Sequence, residues 1–579
     1  MVVAKNLSFS YPQKELYTDI SFTIEDGKHC AFIGSSGTGK STLIQMILRP
    51  DDFLFDGKLI LGEHERIGYV SQFNPIDSKN DKTVFDYIAQ EFMKVQAQMD
   101  ELCDQMGTAD DIEPLLEQYQ LLVDAFDAMD GHNYANNISK KLAEANLSKL
   151  ENMMVSSLSG GEFKLVQIIK EMLLKPTLLI MDEPDVFLDF ERLNALKDLI
   201  NSHKGTMLVI THNRYLLNHC FDYILHLENA DIQEFDGRYM DYNFYLLQKK
   251  IEMMELSAAD TAEIERNQKI VDELRKNATI YTCATRGRAL HARVSLLERL
   301  EARRIKEPFV KIKRPAISLT TDAVSESEYA IKVTDFKAAF DETILEDVSF
   351  EIGANEKVAL IGPNGTGKTT LLREIYKNSS DHIQLGNDIT PAFLSQLQGE
   401  MLEEDLTVQD IFFDAGFESY DSIREYLNKF CFEDDILTQK VSSLSGGEKN
   451  LLQIARIQAG NANLLLLDEP TSHLDTYSQI ELEKAIKNYN GAVFMVSHDF
   501  YTIANCVDYV LLIEGKSVRR ISVRKFRKMI YANHFNKDYL ELEEKKKTVE
   551  TKIEKSLEAK DFETAKVLSE ELDNIIQAM

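Results

Sequence analysis

One glycine-rich octapeptide, written twice, constrains this chain more than any other feature. Gly34-Ser-Ser-Gly-Thr-Gly-Lys40-Ser41 and Gly362-Pro-Asn-Gly-Thr-Gly-Lys368-Thr369 both fit GxxxxGK[ST]. Each follows a short apolar run, Cys30–Ile33 or Val358–Ile361, and the first leads into Leu43, Ile44, Met46, Ile47 and Leu48 at helical spacing. Strand, tight loop and helix in that order let backbone N–H groups curl around phosphate oxygens. Gly34, Gly37 and Gly39, with Gly362, Gly365 and Gly367, permit the curl, and the helix N-terminus adds a dipole that favours an anion. Lys40 and Lys368 are expected to reach the β- and γ-phosphates, Ser41 and Thr369 to ligate Mg²⁺, and Thr42 and Thr370 to line the same pocket.

The repetition continues along the chain. Leu-Ser-Gly-Gly-Glu occurs at 158–162 and 444–448. Two apolar runs end in Asp182-Glu183-Pro184 and Asp468-Glu469-Pro470, and two more end in His212 and His498. An internal duplication sets the architecture before any local detail. The offset between copies is 324 residues at Gln72 and Gln396 but 286 at Ser159 and Ser445, so the first copy carries about 38 extra residues between those points. That stretch, about 84–150, is rich in Leu, Met, Ala, Glu and Gln, with few breakers besides Pro114, and reads as a helical insertion.

Phosphate loop, glutamine, LSGGE, Asp-Glu-Pro and histidine, in that order and twice over, resemble the ATP-binding cassette superfamily. The resemblance implies an α/β fold: two tandem nucleotide-binding domains (1–238 and 329–530) that dimerise head to tail within one chain. It also implies ATP and Mg²⁺ as ligands and ATP hydrolysis as the activity. One site would combine Lys40, Ser41, Gln72, Asp182, Glu183 and His212 with Ser445, Gly446 and Gly447. The other would combine Lys368, Thr369, Gln396, Asp468, Glu469 and His498 with Ser159, Gly160 and Gly161. Asp182 and Asp468, with Ser41, Thr369, Gln72 and Gln396, would hold Mg²⁺. Glu183 and Glu469 would polarise the attacking water, and His212 and His498 would bond the γ-phosphate. Tyr11 and Phe340, at similar distances before their loops, are candidates to stack on adenine, although an aromatic at a strand end is as often packing. The first copy departs from the family pattern: Asp185-Val-Phe187 stands where the second reads Thr471-Ser-His473. The two sites are therefore expected to be unequal.

Between the copies lies a segment, 239–315, whose charge opposes that of the whole. The chain carries −30, yet Arg275, Lys276, Arg286, Arg288, Arg293, Arg299, Arg303, Arg304, Lys306, Lys311, Lys313 and Arg314 are offset between Arg275 and Pro315 only by Glu298, Glu301 and Glu307. Ile264, Val271, Leu274 and Ala278, then Leu290, Val294, Leu297 and Leu300, mark the seams of an antiparallel helical hairpin. A solvated face does not need charges of one sign. Arg286, Arg288 and Arg293 are the candidate RNA contacts, because forked donors suit phosphate. Two cassettes joined by a basic hairpin resemble the ABC-F family. That implies a ribosomal partner (ribosomal RNA and peptidyl-site tRNA) and a role as a translation factor, with antibiotic protection of the ribosome as an alternative. The ATPase subunit of a membrane transporter is an alternative of another class.

Heptad-like apolar positions from Phe535 to Ile553 and from Phe562 to Ile575 predict a C-terminal helical hairpin over 531–579, either self-packed or a ribosome contact. No apolar run reaches the ~18–20 residues of a membrane span, and no secretory signal is evident. The six cysteines form no CxxC pair, which argues against zinc and disulfides. A cytoplasmic monomer is the expectation.

Overall fold

The computed structural model describes the chain apart from residues 12–13, 63–65, 73–81, 109–110, 187, 281–293, 295–313, 322–326, 340–342, 397–400 and 535–536; side chains at 260–262, 265, 273–280, 343, 530–534 and 537–540 are also outside the description. Phe340, Phe187, Arg286, Arg288, Arg293 and most of the second arm of the expected hairpin lie outside the described residues. The chain divides into two compact units, Met1–Asp236 with Arg314–Lys528, and Gly237–Lys313 with Met529–Met579.

In the first unit each copy builds a small antiparallel sheet and a larger, mostly parallel one. The first copy contributes β1 (Val2–Tyr11), β2 (Lys14–Ile24), β3 (His29–Ile33), β4 (Asp56–Leu61), β5 (Ile67–Val70), β6 (Leu178–Asp182), β7 (Thr206–Ile210), β8 (Tyr223–Glu228) and β9 (Asp231–Asp236). The second contributes β10 (Tyr329–Ala339), β11 (Thr343–Gly353), β12 (Lys357–Ile361), β13 (Ile383–Leu385), β14 (Pro391–Leu394), β15 (Leu464–Asp468), β16 (Ala492–Val496), β17 (Tyr509–Glu514) and β18 (Ser517–Ser522). The larger sheets run β5-β6-β7-β3-β8-β9 and β14-β15-β16-β12-β17-β18. Their inner strands are unbroken apolar runs because helices cover both faces; every residue of β6, β7, β15 and β16 is buried.

Register converts this sheet into a site. Phe32 in β3 and Asp182 in β6 both pair with Ile210 at the end of β7. The phosphate loop, the Asp-Glu pair and the segment holding His212 therefore leave the sheet side by side at the carboxyl ends of parallel strands, where such sheets bind ligands. Leu360 and Asp468 pair with Val496 in the same way.

The extra residues of the first copy are bracketed by equivalent bridges, Thr83 with Met154 and Thr407 with Lys440. Three helices, Val84–Met106, Glu113–Ala128 and Tyr134–Glu144, occupy that interval; the second copy has two short ones, Val408–Asp414 and Tyr420–Asn428. Pro114 falls in the first turn of its helix, where its missing N–H costs nothing, so it starts a helix rather than breaking one.

The second unit contains the helix Tyr239–Ile280, 42 residues long, and the helices Lys537–Glu558 and Phe562–Ala578. Met240, Ile251, Val549, Ile553, Leu557, Ala565, Leu572 and Ile576 form one buried cluster, and Lys566 pairs with Glu255 at 2.8 Å. The C-terminal hairpin thus packs against the near half of the long helix as well as on itself. Among the described residues, no helix is long and apolar enough to cross a membrane.

Candidate active sites

Each phosphate loop is shaped by backbone that only glycine adopts cheaply. A Cβ on Gly34 (φ 153°) would lie 2.2 Å from the carbonyl oxygen of Leu227, and Gly37 and Gly39 have φ of 76° and 100°. Lys40 begins the helix Lys40–Leu48 and is buried; its Nζ donates to the carbonyls of Gly34 and Ser35 at 2.8 and 2.9 Å. Lys368 repeats this with Gly362 and Pro363, also at 2.8 and 2.9 Å. Burial lowers both lysines from the usual ammonium range, against the pull of nearby carboxylates.

The two loops are nonetheless held differently. Ser35 donates its N–H and hydroxyl to buried Glu228, at 3.1 and 2.8 Å. Pro363, at the equivalent place, has no N–H to donate, and the equivalent Glu514 bonds Arg519 instead. Tyr17 donates its hydroxyl to the carbonyl of Gly39, whereas Leu345 faces Gly367 in the second copy.

In each LSGGE the serine caps a helix. Ser159 and Ser445 form capping boxes with Glu162 and Glu448, which fixes the N-termini of the helices Gly160–Leu173 and Gly446–Ala459. These helix ends meet the opposite copy. A Cβ on Gly447 would fall 2.8 Å from Ser36 Oγ, in the first phosphate loop, and 2.7 Å from the carbonyl oxygen of His473. Asp475 accepts from the N–H of Ser36 at 3.5 Å, and Asp189 from that of Asn364 at 3.3 Å. The pairing is head to tail. Gly447→Ala is expected to lower ATP turnover by about tenfold, since overpacking by one methyl costs ~1–3 kcal/mol; steady-state phosphate release measures it, and an unchanged rate would mean that the seam tolerates the methyl.

A cavity of about 550 Å³ occupies the second seam. Lys368, Thr369, Thr370, Gln396, Asp468, Glu469 and His498 line it together with Ser159, Gly160 and Gly161. In the first site Gln72 Nε2 donates to Glu183 Oε2 at 2.6 Å, and the Ser41 hydroxyl lies beside Asp182 and draws its pKa down. His212 is buried and pushed down to about 4, chiefly by burial; burial likewise depresses His498, to about 3. Both are therefore neutral imidazoles at physiological pH. Tyr11 is half exposed and packs edge-on against Phe9, with ring centroids 5.1 Å apart.

The two Asp-Glu pairs differ in charge. Both glutamates adopt left-handed φ, 45° at Glu183 and 50° at Glu469, a conformation that costs of order 1–3 kcal/mol in a non-glycine residue. Burial pushes Glu183 up, but the hydrogen bond to His473 and the positive charge of Lys40 act against it and the carboxyl is held at about 2. Burial and the adjacent Glu183 raise Asp182 to about 6. Glu469 goes the other way, to about 8, through burial and the charge of Asp468. Asp185, in place of Thr471, is half-buried, accepts from Thr211 Oγ1 at 2.6 Å and is lifted to about 6, chiefly by desolvation. Lys164, which stands where the second copy has Asn450, supplies a nearby positive charge.

The donor set suits a hard cation. Two adjacent buried carboxyls, one of them driven toward its neutral form, mark sites that gain from added positive charge. The hydroxyls of Ser41 and Thr369 and the amides of Gln72 and Gln396 would supply further oxygens. Among the described residues no group of three or more His, Cys, Asp or Glu side chains could hold a metal ion.

Comparisons with known proteins agree with this geometry. A family model described as ABC transporter matches residues 17–186 and 345–472. ABC transporter F family member 2 of Arabidopsis thaliana is 30% identical over 549 residues, which cover 92% of this chain and 78% of that protein. The energy-dependent translational throttle protein EttA of Haemophilus influenzae is 28% identical over 514 residues, 86% of this chain and 89% of that one. Among solved structures, an archaeal ribosome recycling factor, aABCE1, in complex with the stalk protein aP1, aligns with a TM-score of 0.53 and 17% identity over 91% of this chain and 92% of that chain; the likeness is one of fold. With two complete nucleotide-binding domains on one chain, this protein is an ATPase that belongs to the ABC-F family of ATP-binding cassette proteins.

Proposed function

We propose that the chain is a ribosome-acting translation factor whose two cassettes close on ATP and whose basic segment, 239–315, meets RNA near peptidyl-site tRNA. Hydrolysis opens the cassettes and releases the protein. The observation that carries this reading is the long Gly- and Pro-free helix Tyr239–Ile280, which leads into a basic run between two complete nucleotide-binding domains. A relative named as a translational throttle, similar over 86% of the chain, supports it.

Within each site the residues have separate tasks. Lys40 and Lys368 hold the β- and γ-phosphates, and Ser41, Thr369, Asp182, Asp468, Gln72 and Gln396 hold Mg²⁺. The ion, when bound, neutralises charge on the phosphoryl oxygens. The serine and glycines of each LSGGE present N–H groups to the same phosphate from the opposite copy. Glu183 and Glu469 accept a proton from the attacking water, and neutral His212 and His498 donate to the γ-phosphate.

Sucrose-gradient sedimentation of the Glu183→Gln, Glu469→Gln double variant with ATP tests the proposal. The variant is expected to travel with ribosomes at low salt; a protein that stays at the top of the gradient sinks the idea, and one that pellets with membranes favours a transporter subunit. Replacing Arg286, Arg288 and Arg293 with alanine is expected to reduce the salt slope of ribosome binding by about 2, at ~0.7–0.9 for each phosphate no longer neutralised, with nucleotide affinity unchanged. An unaltered slope would return those arginines to a solvated face.

A further inference from the structure

The family pattern treats the two sites as equivalents, but their glutamates are held from different sides of the seam. Glu183 Oε2 accepts from Gln72 Nε2 of its own copy at 2.6 Å and lies 3.1 Å from Nδ1 of His473, which belongs to the other copy. With both bonds on Oε2, Oε1 is left to receive a proton from water. The imidazole is nearly buried, 10% exposed, and sits on the segment whose carbonyl packs against the site of Gly447. Asn450 fixes that segment by donating to the carbonyls of Pro470 and Ser472 at 3.2 and 2.7 Å. His473 itself adopts φ 61°, so its backbone is bent to deliver the ring.

In the second site the equivalent residue cannot make such a bond. The residue equivalent to His473 is Phe187, whose side chain has no polar atom. Glu469 is held from within its own copy: Oε2 accepts the backbone N–H of His498 at 3.1 Å, and Oε1 lies 3.6 Å from that residue's Nε2.

We propose that His473 is a positioning residue that aims the Glu183 carboxylate across the seam, so that the Lys40 site turns over ATP only when the cassettes are closed and carries most of the hydrolysis. The Lys368 site, for which the equivalent residue is Phe187, is the slower one and holds nucleotide for longer. The proposal rests on reading Glu183 and Glu469 as the general bases, and the experiment separates the two ideas.

Single-turnover and steady-state hydrolysis are measured for Glu183→Gln and Glu469→Gln alone, then for His473 variants in the Glu469→Gln background. Glu469→Gln is expected to keep at least half of the turnover and Glu183→Gln less than a tenth. His473→Gly and His473→Asn both tolerate left-handed φ, but only asparagine offers an amide donor near the place of Nδ1. In the Glu469→Gln background, His473→Gly is therefore expected to lower kcat about tenfold with KM within twofold, and His473→Asn to restore at least a third of the rate. Phe187→His in the Glu183→Gln background is expected to raise the residual rate. Equal rates for the two single glutamine variants would overturn the inequality of the sites, and a loss in KM rather than kcat, or no rescue by asparagine, would overturn the positioning role. Full activity in both single variants and in the double would instead refute the general-base reading itself.

Discussion

Turnover of ATP is expected to fall by about 10²–10⁴-fold when Glu183 and Glu469 are both replaced by glutamine, the range lost with a general base. The replacement keeps shape and volume, so the seams should still close and ATP should still bind. What would disappear is the proposed proton acceptor beside the attacking water. Binding and hydrolysis are measured separately, by a fluorescent nucleotide and by phosphate release. A double variant that hydrolyses at more than a tenth of the parent rate would show that water is activated by another group. In the first site the change also reverses a contact: Gln72 Nε2 now donates to a carboxylate oxygen at 2.6 Å, and it would instead meet an amide that can turn either its oxygen or its nitrogen toward it. Some disorder of Gln72 is expected there, visible as a weaker affinity for Mg²⁺ and a higher Mg²⁺ concentration at half-maximal activity.

Arg214→Met is expected to have the largest effect on stability. Arg214, in the first copy, bonds Glu483 and Asp499 of the second, the latter at 2.9 Å. All three side chains are largely buried, at 11%, 9% and 17% exposure. Its guanidinium also lies over the ring of Tyr501, 4.8 Å from the centroid. Taking away the cation leaves two carboxylates facing each other out of water, and breaking a buried pair from one side typically costs ~3–5 kcal/mol. Thr502 and Asn505 also donate to Glu483, at 3.0 and 2.8 Å, and soften the loss without neutralising the charge. Urea unfolding of the Arg214→Met chain is expected to show a loss of about 3 kcal/mol, and adding Glu483→Gln is expected to recover part of it. A loss below about 1 kcal/mol would place the pair with ordinary surface bridges.

Why were the nucleotide sites readable in the sequence while the Arg214 bridge was not? The phosphate loop admits few residue types: Gly34 has a carbonyl oxygen where its Cβ would go, and Lys40 must plug the loop. Chemistry that narrows the choice at each position leaves a pattern, and duplication displays the pattern twice. The Arg214 contact has no such signature. Its partners lie 269 and 285 residues away, and its equivalent in the second copy is Phe500, part of an aromatic cluster with Phe526 and Phe190. Glu228, Tyr17 and Lys164 escaped for the same reason, since each does something its counterpart does not.

His473 was within reach. The contrast between Asp185-Val-Phe187 and Thr471-Ser-His473 was visible, but sequence cannot say which glutamate an imidazole faces until the copies are paired in space. The C-terminal hairpin shows a related limit. Heptad spacing demands that a face be covered without naming the cover, and Ile251 and Glu255 of the long helix proved to be part of it.

That last contact changes the mechanics of the long helix. Forty-two residues at 1.5 Å each make a rod of about 63 Å. Gripped only at its root, such a rod is a cantilever, and its deflection under a side load grows as the cube of its free length. A grip that reaches Glu255 leaves about 38 Å free, which stiffens the far end roughly fivefold. A turn of ~5° at the grip then carries the tip ~3 Å sideways with little bending along the way. Shortening the chain at residue 536 should therefore slacken the arm while leaving every ATP-binding residue in place.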